Sequence, residues 1–325
     1  MVMKKIILVY SSCLLLLALA ATSCNDSLAD ELFRKYSYIT HNGWQEYNLE
    51  VAEDNTARLP IYFGVNGTSG NGNDIVVRIG VDPDTLAGYN KEKFKSQTNL
   101  FYKMLPESCY SFDADQYTIP RGELKTGASI LIDLDKIREV GSLYNDYVLP
   151  LQITSSEGEP KGDKRYTTVL AHIGFINDFS GNYVGKGVAT QKGTSYNTEV
   201  NSCQLYAINN ETCYMFVGEK DRSNTEDYLH YVIELTKDAA GNLTVTPGEG
   251  TEGLDFHLRN VSMKRVYEMN YNDNRYYSQV TTLEISYEYV DSTNPLDPVG
   301  ISFEGTFSMS KNVLRVDHPD VNVVE

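Results

Sequence analysis

The densest grouping of side chains suited to recognition chemistry is Tyr267-Glu268-Met269-Asn270-Tyr271-Asn272-Asp273-Asn274-Arg275-Tyr276-Tyr277, with four tyrosines, three asparagines and an arginine. A sugar presents flat C–H patches and a rim of hydroxyls, so a site for it pairs aromatic rings with amide, carboxylate or guanidinium groups. The segment reads as a loop between two strands, where binding residues commonly sit. Tyr271, Tyr276 and Tyr277 are the candidate ring platforms. Asn272, Asp273, Asn274 and Arg275 are the candidate partners for sugar hydroxyls. A solvated hairpin whose tyrosines cover a sheet edge is the plainer reading of the same residues.

Catalytic patterns are scarce. Glycoside hydrolysis needs two carboxylates at a fixed separation, but with 44 acidic residues pairs such as Asp113/Asp115 and Asp133/Asp135 arise by chance. Residues two apart on a strand share a face, so Asp133 and Asp135 read as a solvated edge. His41, His172, His230, His257 and His318 lack ligand spacing, and the sequence contains no His-Glu-x-x-His, no Gly-x-Ser-x-Gly and no phosphate-cradling glycine loop. Asn71-Gly72-Asn73-Asp74 and Asn177-Asp178 are rich in oxygen donors, yet neither has the regular calcium-loop spacing. They read as Asx turns. The residues thus give no catalytic set, no metal site and no cofactor.

The N-terminus speaks to location. Lys4 and Lys5 precede an apolar run from Ile6 to Ala21, and Ala21-Thr22-Ser23 leads directly into Cys24. Spanning a bilayer takes about 20 apolar residues, more than this run holds, so residues 1–23 read as a secretory signal. Ala21-Thr22-Ser23-Cys24 resembles a lipoprotein lipobox, with Ala21 where Leu is usual, which implies Cys24 as the acylated first residue of the mature chain. The acidic tether behind it, residues 24–33, resembles the export signal of Bacteroidetes surface lipoproteins. That implies an outer-membrane lipid anchor facing the cell exterior.

Charge removes one partner class. The 325-residue chain carries a formal charge of −16, and loss of residues 1–23 takes away two lysines and no acid. So acidic a protein is repelled by phosphate backbones, which excludes nucleic acid, and by anionic headgroups. Membrane attachment then falls to covalent lipid. Cys109, Cys203 and Cys213 remain beyond Cys24. Cys203 and Cys213 flank a turn at Asn209-Asn210, and a two-residue turn there sets Cys213 opposite Tyr206. Buried thiols and a Cys203–Cys213 disulfide both stay open.

Short alternating runs and 24 tyrosines specify an all-β protein. Strands are expected at Arg58–Val65, Asp74–Val81, Ser129–Leu134 and Asp146–Ile153, with one helix over Asp84–Phe94 behind an Asp82-Pro83 start. Trp44 reads as packing. A turn-rich joint near residue 176 divides residues 34–176 from residues 177–325. The second unit is a meander, with strands expected at Cys203–Ala207, Cys213–Val217, Tyr228–Thr236, Leu243–Thr246, His257–Tyr267, Ser278–Val290 and Gly300–Ser308. It closes either as a sandwich or as a small lipocalin-like barrel.

Four stretches of the first unit carry a resemblance: Val81-Asp82-Pro83-Asp84-Thr85-Leu86-Ala87-Gly88-Tyr89-Asn90, Leu105-Pro106-Glu107-Ser108-Cys109-Tyr110, Tyr117-Thr118-Ile119-Pro120-Arg121-Gly122 and Tyr147-Val148-Leu149-Pro150-Leu151-Gln152-Ile153-Thr154. Together they resemble the immunoglobulin-like N-terminal module of Bacteroidetes surface lipoproteins, also found ahead of chitinase-like endoglycosidases. The second unit is similar to an uncharacterised C-terminal domain that follows that module. The resemblance implies a Sus-type glycan-utilisation system, with oligosaccharide or polysaccharide as ligand and an outer-membrane transporter complex as partner. It carries over no catalytic residues, because the Asp-x-x-Asp-x-Asp-x-Glu run of the endoglycosidases is absent. A non-catalytic glycan-binding lipoprotein is therefore expected. The alternative is an adhesin-like or structural lipoprotein that binds a protein partner.

Overall fold

Period-two alternation builds most of the molecule. The structure, a computed structural model, describes residues 34–324 apart from 68–69, 224–227, 252, 320 and 322. The signal, Cys24 and the acidic tether lie outside the described residues.

The first domain holds β1 (Ser37–Ile39), β2 (Gly43–Glu50), β3 (Thr56–Val65), β4 (Ile75–Val81), β5 (Lys103–Met104), β6 (Tyr110–Ser111), β7 (Tyr117–Ile119), β8 (Lys125–Asp133), β9 (Tyr147–Glu157) and β10 (Thr168–Ile176). One sheet runs β1-β3-β8-β6. The other runs β2-β10-β9-β4-β7, with β5 added on β9. Leu59, Ile61 and Phe63 of β3 alternate inward and join Leu149, Leu151 and Ile153 of β9 in one buried cluster, giving an immunoglobulin-like sandwich. The Tyr147–Leu151 stretch of β9 is buried throughout. Its second face is covered by helix α1 (Pro83–Phe94), whose Leu86 packs with Val148 and Leu170. Double coverage explains why this strand reads as a continuous apolar run.

Helix α1 begins on Pro83, where a missing N–H costs nothing. Asp82 at its head accepts the Thr85 hydroxyl at 2.5 Å and lies 2.8 Å from Lys164 Nζ. Two expectations are corrected in and beyond this domain. Leu134 does not continue β8 but opens helix α2 (Leu134–Val140), because Asp133 caps it by accepting the Lys136 N–H at 3.1 Å. Asp133 and Asp135 are thus a helix cap and a first-turn acid, not a strand edge. Tyr228–Tyr231 forms a 3-10 turn, so the strand expected from Tyr228 starts at Val232.

The second domain is one antiparallel sheet that curls into a nearly closed barrel. Its strands are β11 (Gly181–Gln191), β12 (Asn197–Ala207), β13 (Thr212–Phe216), β14 (Val232–Lys237), β15 (Leu243–Pro247), β16 (His257–Met269), β17 (Tyr276–Asp291), β18 (Val299–Leu314) and the short parallel addition β19 (Val323–Val324). Sheet order is β15-β14-β13-β12-β11-β18-β17-β16-β19. Every second residue of β17 from Tyr277 to Tyr289 points inward, and Tyr287 stacks on Phe303 with centroids 4.9 Å apart.

The β12–β13 register also differs from the sequence reading: Tyr206 faces Tyr214, and Cys213 faces Ala207. The connection is longer than a two-residue turn, because Asn209 Oδ1 accepts the N–H groups of Glu211 and Thr212 at 2.8 Å each. The three described cysteines are free thiols, so Cys203 and Cys213 form no disulfide. Burial pushes both thiols up to about 12.

One device locks the domains together, and a second fastens the segment that connects them to the barrel. Tyr144, in the loop after α2, packs its ring 4.9 Å from Tyr214, accepts the Glu249 N–H at 3.1 Å and donates to Glu234. Asp178, between β10 and β11, receives Lys237 and Arg265 on its carboxylate, while Lys311 Nζ donates to its backbone carbonyl at 3.0 Å. Burial alone would raise the Asp178 carboxyl. The hydrogen bonds and charges of Arg265 and Lys237 outweigh it and hold the group at about 2.

Candidate binding cleft

A cleft of about 790 Å³ opens where the barrel sheet comes apart. β12 pairs with β11 over Asn197–Val200 and Ser202–Leu205, but with β13 only at Tyr206 and Ala207. A bulge between Val184 and Gly187 on β11 lies opposite this stretch, and bulges bend and twist the strands that carry them. Gly185 sits in that bulge with the Thr306 carbonyl and Phe307 Cα where a Cβ would go, so only glycine fits. On the other side, β13 ends at Phe216 and the chain turns away through Gly218, whose φ is +58 and whose N–H donates to Tyr287 Oη at 2.8 Å. Segment 218–223 then forms the far wall.

The first domain supplies the end wall with Lys93, Phe94, Leu100 and Tyr102. Asn90 of α1 fixes that wall. Its Nδ2 donates to the Tyr102 carbonyl at 2.9 Å, and its Oδ1 accepts the Tyr102 N–H at 3.1 Å. Lys93 Nζ donates to Tyr102 Oη at 2.7 Å and stands 4.8 Å from that ring's centre and 5.2 Å from that of Trp44. Burial would lower the Lys93 ammonium, but Tyr102 and Tyr89 more than offset it and the group stays cationic. Trp44 itself is backing. Tyr89 stacks on it at 4.7 Å and His172 at 5.1 Å, so ring partners from the protein already occupy it.

At the base, Arg222 of the second domain pairs with Asp146 of the first, bonds the Tyr144 carbonyl, donates to Tyr214 Oη at 3.0 Å and lies 5.3 Å from the Tyr228 ring centre. His172 Nε2 is 3.5 Å from Asp146 Oδ1, at the outer limit of a hydrogen bond. Burial would raise the Asp146 carboxyl, but His172 and Arg222 pull it below the usual carboxylate range. Tyr206 stacks on Tyr214 with centroids 4.8 Å apart and remains 37% exposed to the cleft. A smaller cavity of about 170 Å³ lies behind, sharing Asp146, His172, Gln204 and Tyr206 with the main one.

The cleft combines rings with short polar groups, among them Asn182, Asn201, Ser202 and Gln204. Several of its charges are matched within the protein: Arg222 with Asp146, Lys220 with Asp291 at 2.7 Å and Glu199 with Lys186 at 3.7 Å. Such a surface offers hydrogen bonds and ring faces rather than one dominant charge.

The loop singled out from the sequence lies elsewhere; none of Tyr271 to Tyr277 lines this cleft. Tyr271 is 88% exposed. Asn272 and Asp273 donate their N–H groups to Asn270 Oδ1. Arg275 closes on Asp273 at 2.6 Å, so these two satisfy each other, and Asn274 gives its carbonyl to Arg315. Tyr276 has Arg275 5.7 Å from its ring centre, and Tyr277 is buried in the barrel wall beneath Arg315. The sequence reading does not single out Tyr102, Tyr206 or Arg222. The only local signal is Gly218-Glu219-Lys220-Asp221-Arg222-Ser223, a glycine and a charged run directly after a buried strand.

Two family models cover most of the described chain. Residues 33–160 match an N-terminal-domain family, and residues 167–308 match a C-terminal-domain family. No curated protein matches. Among solved structures, a Bacteroides ovatus protein of unknown function is similar with a TM-score of 0.75 at 19% identity, over 87% of this chain and 96% of that one. A second Bacteroides ovatus protein of unknown function gives 0.72 at 21% identity, over 88% and 94%. An auxiliary nutrient binding protein from Bacteroides thetaiotaomicron gives 0.71 at 19% identity, over 86% and 94%. At these identities the likeness is one of fold, and it extends through both domains.

Proposed function

We propose that this chain is a non-catalytic glycan-binding lipoprotein, anchored through Cys24 to the outer membrane with both domains facing outward, and that it captures oligosaccharide or polysaccharide for an uptake complex. The observation that carries the binding reading is the interdomain cleft, which sets Tyr102 and Tyr206 beside Asn182, Asn201 and Gln204. The nutrient-binding neighbour shares the fold and adds support. The lipobox-like Cys24 and the Sus-type resemblance support the location and the transporter partner.

The direct test is affinity electrophoresis of the chain from Ser27 onward, which contains every core residue of both domains, against a panel of neutral and acidic polysaccharides. Retardation by at least one of them, lost in Tyr206→Ala, is expected. No retardation by any would favour an adhesin-like surface protein, and turnover of a bound glycan would make the chain a hydrolase. Acylation is tested by palmitate labelling that disappears in Cys24→Ala.

The Tyr271–Tyr277 loop is the second candidate contact, favoured by the exposed Tyr271 ring. Retention unchanged in Tyr271→Ala, Tyr276→Ala would remove it.

A further inference from the structure

We infer that the ligand of the cleft is an extended, linear oligosaccharide lying along the open edge of β12 and held largely by main-chain N–H and C=O groups. The inference deepens the glycan-binding reading and rests on it. Side chains of a strand alternate between the two faces of a sheet, so a cavity beside a face meets every second residue. This cavity is lined by Glu199, Val200, Asn201, Ser202, Cys203 and Gln204 in unbroken succession. A lining of consecutive residues means that the strand is seen edge-on.

Pairing explains why the edge is open. β11 occupies one side of β12 from Asn197 to Leu205, interrupted by the bulge at Asn201, but β13 occupies the other side only at Tyr206 and Ala207. Beyond that point Phe216 and segment 218–223 stand across the cavity rather than against the strand. No turn or loop hydrogen bond outside the sheet reaches Glu199–Gln204 among the described residues. A bare edge ordinarily invites another strand, and proteins cover or blunt it. Here it lies within a cleft, where Tyr206 and Tyr102 flank it and can meet C–H faces while the edge meets hydroxyls.

The geometry sets the form of the ligand. Six residues at about 3.3 Å each give an edge of about 20 Å. A single monosaccharide would leave most of it unsatisfied. An extended chain with regularly spaced hydroxyls, each both donor and acceptor, matches alternating N–H and C=O groups. An extended peptide could pair with the same edge, but the amides and rings around it suit a polyhydroxylated ligand better.

The test is hydrogen exchange on the unmodified chain from Ser27 onward, with linear di- to hexasaccharides of glucose, mannose, galactose and xylose as probes. Affinity is expected to rise with length until the chain spans the edge, then level off. With the tightest probe at 100 times Kd, amides of peptide 197–207 should slow on the order of 100-fold. A probe that binds while those amides exchange unchanged, or a dimer that binds as tightly as a hexamer, overturns the edge-on inference and leaves glycan binding standing. Failure of every probe overturns both, and retention of a strand-forming peptide alone would assign the edge to a protein partner.

Discussion

The Asn90 side chain binds both backbone groups of Tyr102, its amide nitrogen to the carbonyl at 2.9 Å and its oxygen to the N–H at 3.1 Å. Twelve residues apart in sequence, the two make one end wall of the cleft, and the buried amide is the part that holds the ring in place.

Removing that amide therefore should do more than lower stability. Asn90→Ala leaves two backbone groups without partners, a cost of about 2 kcal/mol, and frees Tyr102. Chemical denaturation reads the first effect. A fall in oligosaccharide affinity larger than that of Tyr102→Phe reads the second.

Tyr206 is the ring most directly offered to a ligand. Tyr206→Ala should weaken glycan binding at least about tenfold, ~1.4 kcal/mol, with little loss of stability because the ring is partly exposed. Titration calorimetry beside thermal unfolding separates the two effects. Equal affinity in the variant would remove Tyr206 from the site.

Tyr144 binds the domains to each other. Tyr144→Ala should cost about 3–5 kcal/mol, as truncation of a buried aromatic does. It should also split a joint unfolding transition into two, visible by calorimetry. Tyr144→Phe keeps the packing and loses only the bonds to Glu234 and Glu249, so it should be much milder.

Acid should loosen the second domain. The carboxyls of Asp178 and Asp291 are held at about 2 by their cations against the opposing effect of burial. A free carboxyl titrates near 4. Because the folded value is the lower one, this stabilisation is complete above about pH 4 and is lost as pH falls toward about 2. Denaturation midpoints measured across that window should drop, and Asp178→Asn should flatten part of the drop while destabilising the protein at pH 7 by leaving Lys237 and Arg265 unpaired.

How much of this was legible in the sequence depends on the reach of each signal. Strands such as Arg58–Val65 and Ser278–Val290 announce themselves by period two, and α1 by Asp82-Pro83, because those cues lie within a few residues of what they specify. Asp133 shows the limit: one acid reads equally as a strand end or a helix cap until Lys136 is seen to donate to it. The β12–β13 register slipped by one because Asn209 builds a longer turn than its neighbour suggests. The cleft was not legible at all. Lys93 and Asp146 of one domain meet Asn201 and Arg222 of the other where β12 and β13 part after Tyr206, and no local pattern records a pairing that fails to form. The loop at Tyr271 stood out for the opposite reason, since its residues are adjacent in sequence, yet Asp273 and Arg275 spend their hydrogen bonds on each other.

Because Tyr102 comes from one domain and Tyr206 from the other, any molecule that grips both acts as a strut between them. At 100 times Kd such a strut adds about 2.7 kcal/mol, shared across the junction rather than confined to either half. The occupied chain would then resist proteases better than the empty one.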